Sequence, residues 1–328
     1  MTKSAPVEFI NAVALDGESI YISGSLDALP AYSAHVRLFL YDELVDPVWR
    51  HHDVEWWSIA TAVFVESDDA PWALSCLSNE GQVEYIRSSG DPIVESIPGA
   101  GVHRSGAARW GNMSNLKQIG DHLYACGGAG QVYKRLGKDQ WVHMDEGVLQ
   151  APDVDDRLLP SAIDGPHEEA IYLVGALAED GYPPRVHFWN GKNWRQLELP
   201  EVAERLTSIY VETDTRIWLA GANGTLLVGN AEDGFVSLSS VDDNQLFLGV
   251  CEYFGKVYLP SNLGLFVYDV ENPQAGIQEV ATGLTPELQD ARIIDRASGV
   301  LWSVGGKDIA KFDGKVWTRI HHPDNDPI

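Results

Sequence analysis

A short apolar run with an aromatic at its second position returns seven times along the chain. The copies are Ile20-Tyr21-Ile22-Ser23-Gly24, Pro71-Trp72-Ala73-Leu74-Ser75, Leu123-Tyr124-Ala125-Cys126-Gly127, Ile171-Tyr172-Leu173-Val174-Gly175, Ile217-Trp218-Leu219-Ala220-Gly221, Val257-Tyr258-Leu259-Pro260-Ser261 and Leu301-Trp302-Ser303-Val304-Gly305. The aromatics stand 51, 52, 48, 46, 40 and 44 residues apart. Each run is built of residues that suit a half-buried, pleated surface, so each predicts a strand.

The fourth copy shows what surrounds such a strand. A strand at about Leu159 to Ile163 precedes it, and a loop from Ala176 to Pro184 follows. Arg185 to Trp189 then alternates in polarity, turns at Asn190-Gly191 and returns as Lys192 to Leu197. Asn-Gly between two such runs predicts a hairpin with a type I′ turn. The last copy repeats the pattern around Asp313-Gly314, the third turns at Leu136-Gly137, and the fifth carries Asp233-Gly234 at the same point. The unit therefore reads as strands A, B, C and D in an antiparallel meander. The glycine ending strand B permits either positive φ or close approach of another backbone. Trp141, Trp194 and Trp317 recur on strand D and are expected to pack between neighbouring sheets, as are the strand-B aromatics.

Repeats of 40 to 52 residues made of four strands each predict an all-β chain, a seven-bladed β-propeller of four-stranded antiparallel blades. The blades fall at about 7–53, 58–98, 114–145, 159–199, 205–240, 245–282 and 288–322, and residues 1–328 are read as a single domain. One blade cannot bury both of its faces alone, which argues against a split. The ring either closes without a shared strand or takes an edge strand from residues 1–6.

Charge narrows the partners. The chain of 328 residues carries 23 Lys and Arg against 48 Asp and Glu, a formal net charge of −25, spread evenly along its length. Such a surface repels nucleic acid and anionic membranes and favours a basic partner protein. Three scattered cysteines, Cys76, Cys126 and Cys251, show no metal-ligand spacing and point to a reducing compartment. Met1 to Pro6 has no apolar leader and no run is long enough to span a bilayer, so a cytoplasmic location is expected.

The repeats resemble the broad propeller superfamily with WD40/YVTN- or BNR-like units. Gly127-Gly128 and Gly305-Gly306 resemble the kelch doublet. Phe312-Asp313-Gly314-Lys315-Val316-Trp317 and Trp189-Asn190-Gly191-Lys192-Asn193-Trp194 are similar to the Asp-box, with its serine missing. The WD40 Gly-His and Trp-Asp signatures do not recur. The resemblance implies architecture, because propellers host hydrolases, lyases, lectins and binding platforms alike.

Candidate chemistry is sought where B–C loops and D–A connections meet on one face, around the central channel. Two connections are long. Pro98 to Asn115 carries His103, Arg104, Arg109 and Trp110, and Glu146 to Pro160 carries Asp153, Asp155 and Asp156. Trp56 and Trp57 lie between blades one and two, and Tyr182 in the B–C loop of blade four. Aromatic and guanidinium groups of this kind serve as protein-binding anchors. Asp153-Val154-Asp155-Asp156 lacks the Asp-x-Asp-x-Asp-Gly calcium pattern and reads as a solvated acidic loop. His51-His52 and His321-His322 are read as surface residues. No nucleophile is isolated with a base, and no cofactor or metal site is evident.

The reading that follows is a non-enzymatic protein-binding propeller, an immunity protein or inhibitor that grips a basic partner with its loop face. Two alternatives stand beside it. One is a metal-dependent lactonase-like hydrolase or lyase with carboxylates at the channel mouth. The other is a lectin-like carbohydrate binder.

Overall fold

Each predicted repeat folds as one sheet of four strands taken in sequence order, giving seven antiparallel sheets, a seven-bladed β-propeller. The computed structural model describes residues 5–30, 33–55, 59–67, 70–87, 90–201, 205–239 and 245–328, with backbone alone for 59–67 and 70–72. By contact density the chain forms two compact units, 60–244 and the pair 1–59 with 245–328.

The unit 60–244 holds four blades. Blade two is Ile59–Ser67, Ala70–Ser78, Gln82–Ile86 and Ile93–Ser96, and blade three is Met113–Ile119, His122–Gly127, Gln131–Gly137 and Gln140–His143. Blade four is Leu158–His167, Ala170–Leu177, Pro184–Trp189 and Trp194–Gln196, and blade five is Leu206–Thr213, Arg216–Gly221, Leu226–Asn230 and Gly234–Ser237. The other unit holds blade one (Val7–Ala14, Ser19–Leu26, Val36–Asp42, Trp49–Val54) and blade six (Cys251–Tyr253, Lys256–Ser261, Gly264–Asp269, Ile277–Glu279). It also holds blade seven (Ile293–Ala297, Val300–Val304, Ile309–Phe312, Trp317–Arg319). Blades one and seven each supply all four of their own strands, so no strand is shared between them. No helix among the described residues is long and apolar enough to cross a membrane.

The core lies in the seams between sheets. Tyr124, Cys126, Ile163 and Leu173 pack blade three on blade four, and Tyr172, Val174, Leu219 and Phe235 pack blade four on blade five. In the other unit Ile20, Ile22, Trp302 and Ile309 join blade one to blade seven. The strand-B aromatics Tyr124, Tyr172, Trp218 and Trp302 are all buried, and three of them satisfy their polar tips on the next blade. Tyr124 Oη donates to Glu168 at 2.9 Å, Tyr172 Oη accepts from the Ala231 N–H at 3.0 Å, and Trp302 Nε1 donates to the Asp16 carbonyl at 3.1 Å. The strand-D tryptophans reach the opposite way. Trp49 Nε1 donates to the His321 carbonyl, Trp141 Nε1 to Glu95 and Trp194 Nε1 to the Met144 carbonyl. A large ring that buries its face and still pairs its N–H or O–H stabilises a seam without leaving an orphaned dipole.

The seam between blades two and three contains a buried ion pair. Arg135 Nε and Nη2 lie 2.9 and 2.7 Å from the two oxygens of Glu95, which also accepts from Tyr85 Oη and Trp141 Nε1. The guanidinium carbon sits 5.0 Å from the Tyr85 ring centre. Glu168 joins blades three and four in a more exposed setting, receiving His122, Lys134 and Tyr124. Burial alone would raise the Glu168 pKa, but its three donors outweigh that and hold it at about 2.

Three expectations are corrected. Gly191 is left-handed at φ 84° but Asn190 is not, so the turn is not type I′. Instead Asn190 Oδ1 accepts from the N–H groups of Lys192 and Asn193. Asp313 does the same for Lys315 and Val316, Asn230 for Glu232 and Asp233, and Asp269 for Glu271 and Asn272. A short side chain that caps two amides removes the need for positive φ at its own position. In blade three, strand C runs through Gly137 and the turn falls at Lys138-Asp139, where Asp139 takes φ 57°. His51, His52 and His321 are exposed as expected, but His322 is only 3% exposed, because the segment after the last strand folds over blade one.

All three cysteines are buried thiols. Burial pushes the Cys126 thiol up to about 12.

Removing one member of a buried ion pair strands the other charge. Glu95→Ala is expected to cost about 3–5 kcal/mol of unfolding free energy in urea denaturation, and Glu95→Leu combined with Arg135→Met clearly less.

Candidate functional site

In a four-stranded meander the B–C turns and D–A connections emerge at the same end of the sheet. In the unit 60–244 they are bound to one another. The ends of strand B leave no room for a side chain: a β-carbon on Gly175 would lie 2.1 Å from the Leu159 carbonyl oxygen, and one on Gly221 2.4 Å from that of Arg205. Neither glycine has positive φ, so of the two roles expected for this residue, close backbone approach is the operative one. In blades four and five the start of strand A thus lies directly against the end of strand B.

Contacts run along this end from blade to blade. The Met113 N–H donates to the Asn79 carbonyl, Gly128 to Asn112, Gln150 to Ala129 and Ala178 to Arg157. Gln131 Nε2 ties the carbonyls of Gly111 and Gly128 together.

The long connection 97–112 is organised by Glu80, a residue the sequence reading did not select. Glu80 Oε2 accepts from three successive N–H groups, Val102 at 2.9 Å, His103 at 2.8 Å and Arg104 at 3.3 Å. The residue is 9% exposed, and Oε1 has no hydrogen-bond partner among the described residues. A carboxylate facing a row of amides is strongly held, since its charge meets several aligned dipoles. The only trace of this in sequence is Gly81 in a Ser-Asn-Glu-Gly turn; the carboxylate's targets lie more than twenty residues away.

Among the expected site residues, His103 and Arg104 lie in this cradle. His103 is exposed, while the Arg104 guanidinium turns inward, donating to the carbonyls of Glu80 and Gly81 at 3.2 and 3.3 Å. Arg109 is exposed and left-handed at φ 63°. Trp110 is half-buried, edge-on to His143 with ring centres 5.4 Å apart. Asp153, Asp155 and Asp156 are exposed on the connection from blade three to blade four. They carry no ion pair among the described residues. The Arg157–Ala178 contact sets them beside the B–C loop of blade four, where Glu179 and Asp180 are also exposed. Tyr182 stands at the tip of that loop, half exposed, with φ 45°. Trp56 and Trp57 lie outside the described residues.

This end of blades two to four therefore offers two kinds of surface. One is a cradle pinned by an internal carboxylate, with Trp110 at its margin. The other is a pair of adjoining turns that carry five exposed carboxylates and the exposed Tyr182. Among the described residues, no three His, Cys, Asp or Glu side chains come together in a way that could hold a metal ion.

The fold is shared with proteins of little sequence likeness. The WD40 β-propeller domain of Doa1 superposes with a TM-score of 0.62 at 12% identity, covering 94% of this chain and 93% of that one. The computationally designed Ika8 protein gives 0.56 at 12% identity, over 98% and 88%. These show architecture alone. No family model matches the chain. The sequence itself has a relative. The chain is similar to Immune protein Tsi7 of Pseudomonas aeruginosa. The two are 29% identical over an alignment of 305 residues that covers 88% of this chain and 93% of Tsi7. The likeness to Tsi7 thus spans nearly the whole propeller rather than a few blades.

The cradle yields a test. Both Gly101 and Gly106 have positive φ, at 87° and 82°. A β-carbon on Gly106 would meet nothing within 4 Å, whereas one on Gly101 would fall 2.6 Å from Glu80 Oε2 and 2.7 Å from the Glu80 carbonyl oxygen. Gly106→Ala should cost about 1–2 kcal/mol from its backbone alone. Gly101→Ala is expected to cost at least roughly twice that in chemical denaturation, because its clash is with backbone and a pinned carboxylate.

Proposed function

We propose that this chain is an immunity protein: a non-enzymatic propeller that neutralises a harmful partner protein by binding it. The observation that carries this reading is the end-to-end similarity to Immune protein Tsi7. The turn face of blades two to four supports it as the place of contact. His103, Arg109, Tyr182 and its carboxylates are exposed, with Trp110 half-buried beside them, on a backbone held by hydrogen bonds rather than left to adjust.

The partner we infer is basic. Asp153, Asp155, Asp156, Glu179 and Asp180 share two adjoining turns, and the chain as a whole carries a formal charge of −25. Complementary charge of this kind speeds encounter and excludes acidic competitors, while an exposed aromatic such as Tyr182 supplies the desolvated contact.

Affinity capture with the tagged chain, from cells that naturally contain it, tests the reading. A basic protein should be recovered in stoichiometric amount, and its expression alone should arrest growth that co-expression of this chain restores. Reversing charge in Asp153→Lys, Asp155→Lys and Asp156→Lys together should weaken binding about ten-fold or more at low salt, mostly through a slower on-rate, and should leave Tm nearly unchanged. Recovery of no partner would overturn the function. Equal binding by the charge-reversed chain would overturn the surface.

A further inference from the structure

Two histidine pairs, His51-His52 and His321-His322, lie about 270 residues apart in sequence. The fold brings them to one place. After strand D of blade seven, residues 320–328 lie along blade one in the same compact unit. Two hydrogen bonds fix them there: Trp49 Nε1 donates to the His321 carbonyl at 3.1 Å, and the Val7 N–H donates to Asn325 Oδ1 at 2.8 Å. Between these bonds the His322 ring enters an aromatic enclosure. Its centre lies 4.6 Å from Phe39, 4.6 Å from Trp49 and 5.6 Å from Phe9, edge to face in each case.

The hydrogen bonding of that ring selects its protonation state. The Asp324 N–H points at His322 Nδ1, 3.3 Å away, so Nδ1 acts as an acceptor and the ring is neutral with its proton on Nε2. A second proton would turn the acceptor into a donor facing a donor. It would also place a charge among three apolar rings.

Among the charged neighbours Asp324 acts most strongly and favours that proton, while His321, His51 and Arg37 oppose it. Strand C of blade one places Arg37 nearby, itself paired with Asp53 at 2.7 Å, and strand D contributes His51. The folded segment contributes His321, and Asp324 is the one carboxylate acting in favour of the charge. Strand A contributes Phe9. Burial is the largest influence and holds the His322 pKa down at about 4, against an ordinary 6.5.

We propose that residues 320–328 form an acid-released clasp on blade one, with His322 as its trigger. Above pH 6.5 the ring is neutral and the clasp is closed at full strength. As the pH falls from 6.5 towards 4, the released segment takes up a proton that the docked segment refuses. The balance therefore shifts towards release, by about ten-fold per pH unit and about 300-fold in all. Release uncovers Phe9, Phe39 and Trp49, and so changes the surface that the first and last blades present.

Hydrogen exchange with mass spectrometry, corrected for the intrinsic pH dependence of amide exchange, reads this directly. In the full chain between pH 7 and 4, protection of residues 320–328 should fall by a factor of order 10²–10³, while the strand Leu123 to Gly127 in blade three stays protected. His322→Leu should keep its protection flat over that range. Should that variant fail to dock at pH 7, His322→Gln keeps an acceptor that does not titrate and serves in its place. Constant protection in the native chain would overturn the proposal, as would equal loss in the native chain and the docked variant. A histidine NMR titration gives an independent check. His322 titrating at or above 6.5 with the segment still docked would mean that attraction between the cation and the aromatic faces prevails, and would also overturn it.

Discussion

A carbonyl oxygen occupies the space where a β-carbon would stand at the end of strand B. This close approach, seen at Gly175 against Leu159 and at Gly221 against Arg205, sets the start of strand A directly against the end of strand B in blades four and five. Hydrogen bonds between the turns and the connections extend that order beyond the sheets; without them the long connections would be separate loops, each with its own entropy to lose on meeting a partner. With them, the turns of blades two to four become a surface already bonded from one sheet to the next. A binding face on such a scaffold owes its shape to backbone contacts, so its exposed side chains are free to specialise.

The same economy governs the seams. Every blade is only one sheet thick and must bury both faces, so polar groups that enter a seam need partners there. Tyr124, Tyr172 and Trp302 of strand B satisfy theirs on the following blade, and Trp49, Trp141 and Trp194 of strand D theirs on the preceding one. Glu95 and Arg135 show the limit of this arrangement: a full charge pair is tolerated because every oxygen of the carboxylate receives donors and the guanidinium lies on a ring.

The architecture was legible because it repeats. Aromatic, apolar run and glycine recur at a near-constant interval, and each copy is local enough for its strands to be read from a few neighbouring residues. The turn chemistry was legible only in part. Asn190-Gly191 signals a reversal, but whether both residues adopt positive φ depends on where the Asn190 side chain finds its amides. The candidate face was partly visible as well. Loop length and side-chain type pointed to His103, Trp110, Asp153 and Tyr182, yet Glu80 was silent, since a carboxylate that caps a distant loop looks like any surface acid in sequence. His322 was misread for the same reason. Its burial depends on a segment folding back over a sheet formed by the other end of the chain, which no local pattern records.

The three buried thiols have a practical consequence. Cys126 lies in a seam where its thiolate is strongly disfavoured, and Cys76 and Cys251 are equally enclosed. A native molecule of this kind is silent towards maleimides and other thiol reagents, which require an accessible sulfur anion. One cysteine introduced on an exposed turn would then be the sole reactive handle, and a fluorophore attached there would watch that turn alone.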